Sequence, residues 1–480
     1  MLELSMFSFI YKLQLLVLVS LVGFMACNES QTNPSSNSLS GDEQDIKDIE
    51  QITYYSDIKP ILDAYCVDCH QAGGIAPFPL EEFSILQPYV DLIVHSITQK
   101  TMPPWGANDV GVPLKYDQRL SADQISMITQ WVEAGAIEGD SADTSAPIYV
   151  DKGGLERVDL TLSLPSTYIP NRDRLDDYRC FVLPWPLDED NHIVGFSGVP
   201  GNQKSVHHLV AFKIGPNQAE LVDGFEALDA GPGYTCYGDA NPSNWEPESL
   251  ADTLVYSFVG QWAPGQEGSV FPSSSGQKVE PGSRIILQVH YSTVAEGDLS
   301  DQSSIQFMLD QEVQNEGIYL PWFDITWYLQ PDSMLIPAGQ DHVKHVFTNR
   351  LGASPGARYI AGDMDLSQGA YLHAIFPHMH TLGRQFNIRH ISSEGQINPV
   401  LQIPDYDFNW QREYHLQEPI YIAPDDEIEL ECTWDNTMEQ LVKSGLTIDE
   451  LQDVSWGDGT YDEMCIAMMY LTPTSMTENK

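Results

Sequence analysis

Basic residues are scarce in this chain. Of its 480 residues only 23 are Lys or Arg, against 69 Asp or Glu, and the formal charge is −46. A surface of that sign repels other polyanions, which argues against nucleic acid and anionic lipid as partners of the folded surface. Charged residues make up only 19% of the chain, while 42% are hydrophobic and 10% aromatic, so it is not a disordered acidic protein either. No βα alternation is visible, and no G-x-G-x-x-G or phosphate loop follows a strand, so nothing points to a nucleotide-binding α/β fold. Cysteines are few and odd in number: seven, at 27, 66, 69, 180, 236, 432 and 465. The length suggests two to four domains.

What is present begins with an address. Lys12 precedes an apolar core from Leu15 to Met25, followed by Ala26, Cys27 and the polar Asn28-Glu29-Ser30. Residues 1–27 read as a secretion signal, because the apolar run is short for a bilayer span. Met6 as the true start would remove Glu3 from it. Cys27 at the end of the core resembles a bacterial lipobox, in which that residue is lipidated, although Phe24 stands where Leu is usual. Ordinary cleavage is the alternative. Either way the expected location is extracytoplasmic, in a bacterial periplasm or on an outer membrane, with any membrane contact made through the lipid. Residues 28–50, rich in Ser, Asn, Gln and Gly at their start, read as a flexible linker.

Residues 51–145 read as a small helical domain. Ser121-Ala122-Asp123-Gln124 is a capping-box signature, opening a stretch with Ile125, Ile128 and Val132 on one face. Cys66-Val67-Asp68-Cys69-His70 is C-x-x-C-H, the attachment signature of haem c. Two thiols at that spacing add to the haem vinyl groups and leave the adjacent His under the iron. A redox or zinc C-x-x-C beside a chance His is the competing reading. Met102, in Met102-Pro103-Pro104-Trp105, is the candidate for the sixth iron ligand, with simple core packing as its alternative. His95, in a helical run, competes for that role. The segment is similar to the small cytochrome c domains fused to bacterial enzymes.

Past Pro147 short apolar–polar alternations such as Arg284 to Tyr291 and Glu427 to Trp434 are punctuated by turn residues. They predict a mainly β body of two antiparallel jelly-roll-like sandwiches, over 150–312 and 313–475 with a boundary at Asp310 to Gly317. Three histidine constellations lie in it. His207 and His208 are adjacent in one strand, where neighbours point to opposite faces, so a bulge or bend is needed to bring both to one ion. His290 shares a face with Gln288 and Ile286. His378-Met379-His380 is H-x-H, whose period of two puts both imidazoles on one strand face. Imidazoles suit zinc, copper, iron and nickel alike, so spacing alone names no metal.

In this order these residues resemble the copper type II, ascorbate-dependent monooxygenases, the class of peptidylglycine and dopamine β-hydroxylating enzymes. The resemblance rests on His207-His208, on Leu287-Gln288-Val289-His290-Tyr291, on His378-Met379-His380-Thr381-Leu382-Gly383 and on Asp462-Glu463-Met464-Cys465. It implies two copper ions per chain. His207, His208 and His290 would hold an electron-transfer copper, and His378, His380 and Met464 the copper that meets O₂. A soft thioether favours the reduced metal there. Four cysteines outside the signal and haem motifs allow three pairings. The resemblance selects Cys180 with Cys236 and Cys432 with Cys465. Where peptide-amidating members carry Arg and Tyr, this chain has Phe376 and Met468, which implies a neutral or apolar small substrate in a greasy pocket. The expected activity is hydroxylation of a C–H bond by O₂. Its electrons would come from a periplasmic or small-molecule donor through haem to the first copper and then the second. Two other classes compete: an electron-carrying or copper-binding lipoprotein, and a zinc hydrolase with Glu463 as base.

Overall fold

The computed structural model describes residues 51–474 apart from 175, 238–239, 246–254, 273, 294–295, 354–364, 444–450, 458 and 460. The signal, the linker and Cys27 lie outside the described residues. Among the described residues no helix is long and apolar enough to cross a membrane.

The chain from Ile52 onward forms one compact unit. Its first part is helical. A turn over Tyr54–Ile58 runs into a helix over Lys59–Tyr65, which opens on Pro60 in its first turn and ends at Cys66. Helices over Val90–Thr98 and Ala122–Glu133 follow. The latter starts at the expected capping box, with the Ser121 side chain accepting from the Gln124 backbone N–H and Gln124 Oε1 accepting from the Ser121 N–H. Ile58, Ile61, Leu62, Leu86, Ile97, Ile128 and Trp131 form the core of this part. Trp131 Nε1 donates to the Ile137 carbonyl, and the Tyr54 N–H donates to the same oxygen, which ties the two ends together.

One expectation fails here. Residues 105–120 are not helical but cross the β body as an irregular segment of turns and bends, with one antiparallel bridge from Leu114 to Leu416. The Asn108 N–H donates to Gln402 O, Val112 N–H to Val400 O and Lys115 N–H to His415 O, while Gln417 N–H donates to Pro113 O. Trp105 and Ala107 are buried in the core of the second half. Backbone groups that a helix would have satisfied internally are satisfied by a neighbouring sheet instead.

The body is mainly β, in four sheets among the described residues. In the first half, one sheet contains Leu160–Ser163, Ser304–Asp310, Asn191–Val199 and Ser275–Val279 as its main strands, and the other Asp176–Pro184, Arg284–Ser292, Val206–Ile214 and Tyr256–Trp262. Both contribute to one core: Phe196, Ile305 and Phe307 from the first, Phe181, Leu209 and Leu287 from the second. Arg284–Ser292 lies between Asp176–Pro184 and Val206–Ile214, buried on both faces over seven residues. Each of its large apolar side chains contributes roughly 1.5–3 kcal/mol by burial. The second half pairs Ile318–Trp322, Ile466–Pro473, Ala370–His378 and Tyr414–Ile422 in one sheet. Val343–Asn349, Glu427–Trp434, Gly383–Ile391 and Ile397–Ile403 form the other. Tyr319, Ala374 and Tyr470 of this half are buried in the core of the first. Disulfides join Cys180 to Cys236 and Cys432 to Cys465.

Candidate metal centres and a cofactor cavity

Strand register brings the first three histidines together. The ladder between Val206–Ile214 and Arg284–Ser292 slips between Val206 and His208, so His207 is the extra residue of a bulge. That slip turns two adjacent side chains toward one point. His208 Nδ1 is 3.3 Å from His207 Nδ1 and 3.4 Å from His290 Nδ1. Three nitrogens about 2.0–2.1 Å from a common ion would stand roughly 3.3–3.4 Å apart in tetrahedral geometry and roughly 3.5–3.6 Å in trigonal, so the two distances fit a metal. The set is one in which all candidate ligand atoms lie within 4.8 Å of one another. Asp176 Oδ1 accepts from His290 Nε2–H at 2.8 Å, which leaves the His290 Nδ1 lone pair facing the other two rings. Tyr178 stacks on His290 with centroids 4.1 Å apart. Burial pushes His207 below the usual histidine range and His208 and His290 well below it, so the trio is held as neutral ligands.

The second set is built differently from expectation. The strand stops at His378, and Met379 and His380 lie in the turn beyond it, so the two imidazoles do not share a strand face. The ladder ends because side chains take over its hydrogen bonds. Tyr406 Oη accepts from the Met379 N–H and donates to the Met379 carbonyl, both at 3.0 Å. The buried Glu463 carboxylate accepts from the N–H groups of His380 at 2.9 Å and Leu382 at 2.6 Å, from Trp434 Nε1 at 2.8 Å, and from Met464. The rings of His378 and His380 nevertheless meet edge to face at 5.1 Å. His378 Nδ1–H donates to Gln411 Oε1 at 2.7 Å and His380 Nδ1–H to the Asp462 carbonyl at 2.9 Å, so both Nε2 atoms keep lone pairs for a metal. Burial lowers His378 and pushes His380 down to about 3. Met464 is buried in the separate segment of Asp462 and Glu463, ahead of the Ile466–Pro473 strand and next to the Cys432–Cys465 bridge. Two nitrogens and a thioether are a donor set that fits copper.

Glu463 is therefore a clamp between its own segment and the turn of His380 to Leu382. A hydrolytic base needs a carboxylate with a free face, and this one is covered by four N–H donors, which removes the zinc-hydrolase reading. Phe376 and Met468 are register partners on adjacent strands, and Phe376 lies parallel to Phe258 of the first half at 6.5 Å. They pack against protein, and neither borders the large cavity, contrary to the expected greasy pocket.

The two histidine sets are near each other. The Phe408 ring is 6.3 Å from His207 and 6.0 Å from His380, and His378 is close enough for its charge to help depress His208.

A cavity of about 580 Å³ adjoins the first set at His207 and reaches Gln411, the hydrogen-bond partner of His378. Cys66, Cys69, His70 and Met102 line one side, His207, Gln411 and Arg412 another. Its size is in the range of cofactor sites. His70 Nδ1–H donates to the Phe78 carbonyl at 2.8 Å, leaving Nε2 free. Burial pushes the Cys66 thiol up to about 12 and Cys69 up to about 11, the opposite of a reactive redox pair. Gly265 of the first β half packs on the motif so closely that a Cβ there would come within 3.2 Å of Cys69 Sγ. His95 is exposed on its helix and does not line the cavity. Asp176, Tyr178, Phe408, Gln411 and Arg412 carry no local sequence signal. Each reaches its site from an element remote in the chain.

Residues 160–297 match the N-terminal domain, and residues 359–479 the C-terminal domain, of the copper type II ascorbate-dependent monooxygenase family. Together they take in more than half of the chain. The sequence is 24% identical over 322 residues to DBH-like monooxygenase protein 1 of Homo sapiens, which covers 64% of this chain and 45% of that protein. It is 24% identical over 322 residues to DBH-like monooxygenase protein 2 of Mus musculus, covering 65% and 45%. Over 310 residues it is 22% identical to tyramine beta-hydroxylase of Caenorhabditis briggsae, covering 63% and 46%. The chain thus spans less than half the length of these relatives.

Proposed function

Because the chain belongs to the copper type II ascorbate-dependent monooxygenase family, we propose that it hydroxylates a C–H bond of a small organic molecule. One atom of O₂ enters the product, and the other leaves as water with two electrons and two protons. The observation that carries this reading is the facing pair of imidazole sets, His207, His208 and His290 against His378 and His380, with Phe408 between them. Copper bound there would supply one-electron chemistry and a place for O₂ to react. The chain's own residues do the rest. Asp176, Gln411 and the Asp462 carbonyl fix the imidazole tautomers, and Glu463, next to Met464, ties the turn that carries His380 to the segment that carries Met464.

We further propose that Cys66 and Cys69 bind haem c covalently, with His70 and Met102 as axial ligands. The cavity, the free His70 Nε2 and the unreactive thiols support it. His207 and Gln411 in the wall of the same cavity support electron delivery from that side to either histidine set. Export to a bacterial periplasm or outer membrane, with a lipid on Cys27, completes the reading.

The test uses the full copper-loaded chain, ascorbate and ¹⁸O₂ with a panel of neutral aromatic and aliphatic substrates. The reading expects O₂ uptake matched by product carrying one ¹⁸O. Product oxygen derived from water, or no O₂ uptake by the copper-loaded, reduced protein, would overturn it.

A further inference from the structure

The cavity beside the C-x-x-C-H motif ends on residues from outside that motif. Arg412, between Gln411 and Glu413 at the start of the Tyr414–Ile422 strand, lines it, and so does Gln118 of the irregular crossing segment. Both present orphaned donors. Arg412 Nε and Gln118 Nε2 are buried and meet no acceptor among the described residues. Elsewhere the buried or half-buried arginines find carboxylates: Arg179 takes Asp229, Arg284 takes Asp223 and Arg389 takes Glu429 and Glu431. Arg412 has a ring instead, its guanidinium 4.6 Å above Trp105 of the Met102-Pro103-Pro104-Trp105 loop. In a chain with three acidic residues for every basic one, a guanidinium with a buried, unpaired Nε and no ion pair among the described residues, on which Asp117 acts only from beyond pairing distance, is costly unless an anion is supplied as a ligand. The other cations at the cavity are committed or solvated: Lys152 pairs with Asp68, and Lys204 is exposed.

We propose that Arg412 and Gln118 form a carboxylate site that takes a propionate of the haem held at Cys66, Cys69 and His70. A planar fork of N–H donors beside an amide donor matches a carboxylate, and the stack on Trp105 fixes the fork's plane. The charge of Arg412 reaches the Cys69 thiol, which places it on the motif's side of the cavity. This inference rests on the haem reading above. Its consequence is mechanical: the haem carboxylate and the copper ligand His378 are anchored on successive residues, Arg412 and Gln411.

The test is spectroelectrochemistry of the exported full-length holoprotein, with haem content measured on the same samples. A cation beside a propionate favours the reduced haem, whose iron carries less positive charge. Arg412→Leu is therefore expected to lower the midpoint potential and to move the pH-dependent bend of the potential upward, with covalent haem per chain unchanged. Arg412→Lys should recover most of the potential. Gln118→Leu should shift it in the same direction by less, and it serves if Arg412→Leu does not fold. An Arg412→Leu or Gln118→Leu holoprotein with the wild-type potential and pH curve would overturn the proposal. So would a wild-type potential that depends on added acetate and matches Arg412→Leu after dialysis into carboxylate-free buffer, since the site would then hold a free carboxylate. A wild-type chain without covalent haem would overturn the haem reading as well.

Discussion

Asp176 offers the sharpest prediction about the first histidine set. Its Oδ1 accepts from His290 Nε2–H at 2.8 Å, and that bond alone decides which nitrogen of His290 faces His207 and His208. The Asp176 side chain is 34% exposed, so replacing it leaves no buried hole. Asp176→Asn keeps an acceptor oxygen but loses the charge that strengthens the bond. Asp176→Ala frees the ring to rotate and to carry its proton on Nδ1. Loss of an outer partner of a metal-bound histidine costs about 10–100-fold in metal affinity, or about 1.4–2.7 kcal/mol. The Asn variant is expected near the lower end and the Ala variant near the upper. The assay is competitive copper titration of the purified chain against a chelator, with electron paramagnetic resonance to separate the two sites. The signal of the His378–His380 site should be unchanged in both variants. Wild-type affinity at the first site in Asp176→Ala would refute the claim that this carboxylate sets the ligand tautomer.

Three further outcomes follow from the second half. Glu463→Gln puts an amide N–H₂ against buried N–H donors, so it should cost roughly 1–3 kcal/mol in urea unfolding and release copper from the His378–His380 site first. An unchanged unfolding midpoint would contradict the clamp. Cys432→Ser with Cys465→Ser opens a loop of separation 33, for which loop-closure entropy gives about 4 kcal/mol. Denaturant melts that lose less than about 1 kcal/mol would contradict a bridge that constrains the unfolded chain. Folding holds His380 neutral down to about 3, whereas the unfolded chain protonates it near the ordinary histidine value of about 6.5. The unfolded state therefore binds more protons between these values, and stability of the metal-free protein present above about 6.5 should be lost as pH falls through that window. Burial pushes Glu463 up to about 8, which works in the opposite direction over part of this window, so the comparison is with Glu463→Gln, and metal-free melts of that variant that are flat from pH 7 to pH 4 would contradict this.

Much of the site was legible in the sequence, for identifiable reasons. His207 beside His208 in an apolar strand demands a bulge if both are to reach one ion, and the ladder slips at that point. Alternation over Arg284 to Tyr291 and Glu427 to Trp434 marks strands because each is buried between neighbours. Local pattern failed where remote groups replaced the local ladder. The H-x-H pair leaves its strand because Tyr406 and Glu463 satisfy the backbone of Met379 and His380. Residues 105–120 leave the helical part because their backbone pairs with residues 400, 402, 415 and 417. Phe376 pointed to a greasy pocket, but the same apolarity lets it pack on Phe258. Asp176 and Gln411 act through histidines 114 and 33 residues away, distances over which spacing carries no information.

The central claim is two distinct copper sites in one chain. Elemental analysis of the exported, copper-reconstituted protein, alongside His290→Ala and His378→Ala, tests it most directly. The account predicts two copper per chain in the wild type and one in each variant, the lost ion differing between them by electron paramagnetic resonance. Zinc in place of copper, a single copper in the wild type, or one variant losing both ions would contradict it.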